Sequence, residues 1–320
     1  MNKILWKPDE ERIQKSAMYH LMESQGFSNY TDLHRWSVEH LEEFWQQIIR
    51  IGEVKFVKEP SSILDTKHDI KTASFFYDGK LSFTDHILRH RGAKPAIVFF
   101  GEDGRRQELS FDDLREAVSN IAAGLKEIGI AQGDRVVGFL PNCPEAIIAM
   151  LATTSLGAVW SSCSPDFGVG GVVDRFGQIS PKVIFTADGY LYNGKYHDSL
   201  RIVKEIIKEI PSIDKTVIVT FIKRPSDISS IPGSMFWEEL KISDSTLENL
   251  PQDFNHPLYI MYSSGTTGIP KCIIHGVGGT LVQHLKEHIL HCDIESRDKV
   301  FFFTTCGWMM WNWLVTVLAI

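Results

Sequence analysis

The 320-residue chain contains no C-x-x-C pair, and its five cysteines (143, 163, 272, 292 and 306) are odd in number. Neither a disulfide framework nor a zinc ribbon fits that count, which instead suits reduced thiols in a cytosolic protein. Basic residues are also short, 33 Lys and Arg against 40 Asp and Glu, for a net charge of −7. Nucleic-acid binding asks for a basic face, so no nucleic-acid partner is expected. The opening stretch Met1–Glu10 has no apolar core of signal-peptide length. Charge is missing altogether from Val300 to Ile320, a run long enough to span a bilayer. A tail anchor would look like this. However, the run opens with a strand-like Val-Phe-Phe-Phe, breaks at Thr304–Gly307 and then carries Asn312. A strand at Lys299–Phe303, then a turn and a buried helix, are therefore expected, with no membrane span.

What is present is ordinary globular composition, 43% hydrophobic and 23% charged, on a length that suits one large or two ordinary domains. Residues 1–94 begin as amphipathic helices; Ser37 is expected to cap a helix carrying Val38, Leu41, Phe44, Trp45, Ile48 and Ile49. From Pro95 short apolar runs alternate with helical patterns. Strands are expected at Ala96–Phe100, Arg135–Leu140, Ala158–Cys163, Lys182–Ala187 and Thr216–Phe221. Helices are expected over 110–128, after Pro141-Asn142-Cys143-Pro144 through Leu156-Gly157, near Val169–Ile179 and near Asp198–Ile210. Ser110 and Asp113 would cap the first of these helices, and Gly129 would close it. Such alternation implies an α/β fold with a mainly parallel sheet covered by helices. A proline-rich connection over 223–256 separates an α/β subdomain (95–222) from the start of a second (257–320).

The densest chemistry lies in Tyr262-Ser263-Ser264-Gly265-Thr266-Thr267-Gly268-Ile269-Pro270-Lys271. Gly265 and Gly268 permit positive φ and close approach of backbone to a ligand. Successive N–H groups in such a turn converge on an anion, the hydroxyls add donors, and Lys271 adds a point charge suited to phosphate. It is not a Walker A loop. Pro270 replaces the second glycine, Cys272 replaces the magnesium-binding hydroxyl, and a strand-like Cys272–His275 follows where a helix should start.

Two other patterns yield to simpler readings. Gly168-Val169-Gly170-Gly171 lacks a glycine at Val173 for a dinucleotide fingerprint and is expected to serve a turn and close helix packing. His284, His288 and His291 share a helix face but lack the H-E-x-x-H order; they are expected to pack between elements, and no metal site is assigned.

The segment Tyr262–Lys271 resembles the signature loop of the adenylate-forming, acyl-CoA synthetase superfamily. Trp36–Glu39, Gly133–Asn142, Trp160–Gly168, Gly279–His288 and Gly307–Trp313 narrow the resemblance to the acetoacetyl-CoA synthetase family, across almost the whole chain and weakest over 222–250. The resemblance implies a ligase that converts acetoacetate and Mg²⁺-ATP to an acyl-adenylate and pyrophosphate, then lets coenzyme A displace AMP. It implies that Ser263, Ser264, Gly265, Thr266, Thr267, Gly268 and Lys271 hold the ATP phosphates, with Thr266, Thr267 and Lys271 stabilising the departing pyrophosphate. It makes Trp308 and Met309 acyl contacts, with plain core as the alternative. It also makes Lys195 a coenzyme A contact, although Tyr192 and Met310 depart from the related acetyl enzymes. By the same resemblance, residues 1–94 match the N-terminal segment of these synthetases. The adenine and magnesium motifs and the C-terminal lid domain are expected beyond residue 320, leaving this chain alone inactive. The alternative is a noncatalytic module that binds nucleotide or regulates a longer partner.

Overall fold

Of the strands expected between Pro95 and Phe221, Ala96–Phe100 pairs antiparallel with Arg106–Ser110 in a separate two-stranded sheet, and the others join one seven-stranded sheet. The computed structural model describes residues 4–65, 73–222, 227–263 and 268–320. Helix α1 (Phe111–Glu127) starts from a capping box in which Ser110 Oγ accepts from Asp113 N and the Asp113 carboxylate accepts from Ser110 N. It closes at Gly129, whose φ of +89° is the left-handed conformation that ends a helix without strain. There follow β1 (Arg135–Phe139), α2 (Pro144–Ser155), β2 (Val159–Cys163), α3 (Val169–Phe176), β3 (Val183–Ala187), α4 (Ser199–Glu209), β4 (Lys215–Val219) and β5 (Ser234–Phe236). Strand β6 (Pro257–Ser263), β7 (Lys271–Gly276), α5 (Val277–Lys286) and α6 (Met309–Thr316) complete the unit.

The strand order is β5-β4-β3-β1-β2-β6-β7. All neighbours are parallel except β7, which folds back antiparallel to β6 and forms the edge. Strands β2 and β3 are buried along their whole length, as a sheet covered on both faces requires. Period-2 alternation divides β1 between the two layers. Val136 joins the core with α1, α2 and α5, while Val137 and Phe139 join the one with α3 and α4. Edge strand β7 differs: consecutive Ile273 and Ile274 are both exposed, so neither face of its pleat is covered there.

Ahead of the sheet lie four helices, Glu10–Lys15, Ala17–Ser24, Tyr30–Glu39 and Leu41–Ile51. The expected cap at Ser37 is wrong. Ser37 lies inside the third helix, its Oγ donating back to His34 O, and Asn29 is the cap. Interior serines can satisfy themselves on the preceding turn in this way, which makes the type ambiguous in sequence.

The strand expected at Lys299–Phe303 is also absent. The segment is extended but has no ladder partner among the described residues, and Phe301 and Phe303 are 81% and 86% exposed. An apolar pattern specifies a strand only where another strand is present to receive it. The turn at Cys306–Gly307 and the buried helix α6 do form, Trp311, Asn312 and Trp313 all facing inward. No helix among the described residues is long and apolar enough to cross a membrane.

Helix α5 runs into a π-helical turn, Glu287–His291. His284 Nδ1 lies 3.0 Å and His288 Nε2 2.8 Å from the one hydroxyl of Thr316 on α6, and the His288 ring lies 4.4 Å from that of Trp313. These two are packing residues as expected. His291 is exposed, the extra residue of the π-turn having rotated it off the shared face. Burial, reinforced by the neighbouring His288 and His275, drives His284 down to about 3. Burial drives His288 down to about 4 against the pull of the Trp313 carbonyl. Both are therefore neutral when folded, whereas the unfolded chain takes up their protons below about pH 6.5. Stability should be level above that pH and fall as pH drops toward 4, at up to about 1.4 kcal/mol per histidine per pH unit. Denaturant unfolding at pH 7 and pH 5 should show a loss of about 2–4 kcal/mol at the lower pH, roughly halved in His288→Gln. An equal loss in that variant would assign the acid sensitivity elsewhere.

Candidate functional site

Strands β6 and β7 are the two arms of a hairpin, with Ser263 opposite Lys271 at its mouth. Ser264, Gly265, Thr266 and Thr267 of the expected cradle lie outside the described residues. Gly268 takes φ +113°, a conformation that favours glycine. Lys271 is exposed at the start of β7, and Cys272–His275 continue as strand, so the ground for rejecting a Walker A helix holds.

Both arms are tied to the parallel core. Strand β6 lies beside β2, with Tyr259 and Ile260 opposite Trp160 and Ser161. Ser161 Oγ donates to Ile260 O at 2.8 Å and lies 3.2 Å from the Tyr262 hydroxyl, whose phenol burial pushes upward. On the other arm, Gln178 Nε2 donates to Pro270 O at 2.9 Å. The glycines before these contacts do not act as expected. Gly168 caps α3, but a Cβ on Gly168 or Gly170 would meet open space and one on Gly171 only ordinary contact, so close helix packing does not explain them.

The carboxyl ends of β1 and β2 are crossed by the segment 304–311. Ser162 Oγ donates to Cys306 O at 2.6 Å while accepting from Trp160 Nε1 at 3.2 Å. Trp311 Nε1 donates to Asn142 Oδ1 at 3.0 Å. Gly307 packs so closely that a Cβ would stand 3.1 Å from Ser164 N. Within α6, Asn312 Nδ2 reaches Met261 Sδ on β6 at 3.0 Å. These ties bring Trp308 and Met309 to the end of the sheet where β6 ends. They are 65% and 44% exposed, so the plain-core alternative does not apply to either side chain.

Lys195 is exposed on an antiparallel hairpin, Gly189–Tyr192 with Lys195–Asp198, that follows β3. Asn193 and Gly194 turn it with φ of +50° and +72°, the pair of positive values a two-residue hairpin prefers. The Glu102 carboxylate accepts from both turn N–H groups, and Tyr190 Oη donates to Pro165 O at 3.3 Å, tying the hairpin to the loop after β2. The described site candidates thus share the carboxyl end of the parallel strands, where open α/β sheets bind ligands. Sequence reading missed the residues that hold them there: Ser161, Ser162, Arg175 and Gln178. The one available signal was Arg175 and Gln178 standing three residues apart, on one side of the turn that ends α3.

The family model described as "AMP-binding enzyme" matches residues 83–320, and one described as "Acetyl-coenzyme A synthetase N-terminus" matches 30–86. The chain belongs to the AMP-binding enzyme family. Within it, the chain is 39% identical over 331 residues to the acetoacetyl-CoA synthetase of Macaca fascicularis, covering 99% of this chain and 49% of that protein. It is 42% identical over 327 residues to the acetoacetyl-coenzyme A synthetase of Rhizobium meliloti, covering 99% and 50%. The solved acetoacetyl-CoA synthetase from Streptomyces lividans matches with a TM-score of 0.94 at 37% identity, over 99% of this chain and 50% of that one. The family resemblance read from the motifs, and the α/β fold it implied, are borne out. The chain spans about half the length of the curated relatives it matches.

Ser162 is the buried link between the sheet and the segment that carries Trp308. Ser162→Ala would leave the Trp160 N–H and the Cys306 carbonyl unpaired, at a cost of about 1–3 kcal/mol in denaturant unfolding. Hydrogen exchange should quicken at Cys306–Trp308 in particular; protection unchanged there would mean that Gly307 packing and the Trp311 and Asn312 contacts hold the segment without Ser162.

Proposed function

We propose that this chain carries the phosphate and acyl side of an AMP-forming acetoacetate–CoA ligase. The observation that carries the reading is likeness at 39–42% identity, over 99% of this chain, to proteins named acetoacetyl-CoA synthetase. In this reading the acetoacetate carboxylate attacks the α-phosphorus of ATP and expels pyrophosphate. The thiol of coenzyme A then attacks the acyl carbon, and AMP leaves. Catalysis of the first step is positioning plus stabilisation of charge on the departing phosphates.

Ser263, Gly268 and Lys271, with Ser264, Gly265, Thr266 and Thr267 assigned on the sequence motif, take the β- and γ-phosphates. Exposed Lys271 supplies a mobile cation. Magnesium arrives with the nucleotide; the described residues include no group of three or more His, Cys, Asp or Glu that could hold it. Trp308 and Met309 present apolar surface to the acyl group, and Lys195 presents a cation to the phosphates of coenzyme A. The reading extends to lipid and ketone-body metabolism on the resemblance, and to the cytosol on the five free cysteines. Coverage of half the relatives' length favours a second reading, a noncatalytic unit that binds nucleotide or pyrophosphate.

Two measurements on the purified 320-residue chain separate these readings. Calorimetric titration with ATP or pyrophosphate should show weak binding, reduced about tenfold or more in Lys271→Ala through loss of a charge-assisted contact of roughly 1.5–3 kcal/mol. Acetoacetate-dependent ATP–pyrophosphate exchange should be absent in this chain and appear when the remaining half of a relative's sequence is supplied in the same polypeptide. Exchange by the chain alone would show that the whole adenylation site lies within it. No exchange in the extended protein, with binding retained, would favour the noncatalytic reading.

A further inference from the structure

The end of α3 grips the β6–β7 hairpin on both arms. On the incoming arm the Arg175 guanidinium lies 5.9 Å from the centre of the Tyr262 ring. That guanidinium is itself fixed, 4.6 Å over the Phe167 ring and donating from Nη1 to Gly171 O at 2.7 Å. On the outgoing arm one side chain makes two contacts. Gln178 Nε2 donates to Pro270 O, and Gln178 Oε1 accepts from the Cys272 thiol at 3.6 Å. Pro270 and Cys272 are the residues immediately before and after Lys271.

Fixing the residues on both sides of Lys271 fixes the direction in which its Cα–Cβ bond leaves the strand. The lysine stem is flexible beyond that point, so the backbone direction decides which volume the ammonium can reach. The carboxamide of Gln178 suits the task because it is donor and acceptor at once, meeting a carbonyl on one side and a thiol on the other. A carboxylate at the same position has no N–H to offer Pro270 O. Neither the motif around 262–271 nor the family comparison singles out Gln178.

We propose that Gln178, assisted by Arg175, is the positioning residue for Lys271 and aims its ammonium at the phosphate of the bound nucleotide. The inference rests on the phosphate reading of Lys271 given above, and two independent measurements keep the two apart. The grip itself is read without ligand by alkylating the chain with iodoacetamide and comparing Cys272, exposed but tethered to Gln178, with Cys292, also exposed, by mass spectrometry. Gln178→Ala and the bulk-preserving Gln178→Met, which has neither the N–H nor the carbonyl, should both raise the Cys272-to-Cys292 ratio, with the thermal midpoint nearly unchanged. A ratio equal to that of the parent chain in both variants overturns the grip.

The consequence is read by calorimetric titration with inorganic pyrophosphate. Gln178→Ala should weaken binding by up to about tenfold, a modest share of the loss a misplaced group can cause. The double variant with Lys271→Ala should bind no more weakly than Lys271→Ala alone, because a residue acting through the lysine has nothing to act on once it is gone. Losses that add in the double variant would make Gln178 a general support of the loop and overturn the positioning role. Unchanged binding in Lys271→Ala would instead overturn the phosphate reading, and with it the aim assigned to Gln178, while the alkylation ratio still decides the grip.

Discussion

The site depends on β6 lying parallel and in fixed register beside β2. Parallel pairing sends the hairpin mouth to the same end as the termini of β1, β2 and β3. The Ser161 hydroxyl locks the register by donating across the pair to Ile260 O. A slip of one residue would turn Tyr259 and Met261 out of the layer they share and carry Ser263 away from its station. Because β2 is buried on both faces, its neighbours can be arranged in very few ways, and that restriction passes to the hairpin.

The second constraint is polar. Segment 304–311 and α6 bury Cys306, Trp311 and Val315 in the main core, and hydrogen bonds tie that apolar contact down: Ser162 to Cys306, Trp311 to Asn142, and the Thr316 hydroxyl shared by two histidines of α5 and its π-turn. Buried polar contacts of this kind fix geometry more than they add stability, since each replaces a bond to water. An apolar junction alone would have tolerated sliding. This one holds Trp308 and Met309 where the sheet ends while leaving both side chains uncovered.

The α/β alternation was legible because strands buried on both faces read as continuous apolar runs, and Ser110, Asp113 and Gly129 announce the helix between them. The phosphate motif was legible because so many donors and a lysine are crowded into ten residues. Failures came where meaning depends on a distant partner. Ser37 reads as a cap or an interior residue depending on what precedes it, and Lys299–Phe303 reads as a strand only if another strand lies beside it. Nothing local marks Gly168 and Gly170 as facing open space. Ser162 carried no signal and Gln178 only its spacing from Arg175, since an amide and a hydroxyl become specific only when folding brings Pro270 and Cys306 to them.

Edge strand β7 has a consequence for the life of the protein in a cell. Its outer row of N–H and C=O groups has no ladder partner among the described residues, and Ile273 and Ile274 add apolar surface to both sides of that row. Such an edge accepts any extended chain, including another copy of itself. Whatever covers that edge would protect the folded protein from a route of loss that its own unfolding free energy does not measure.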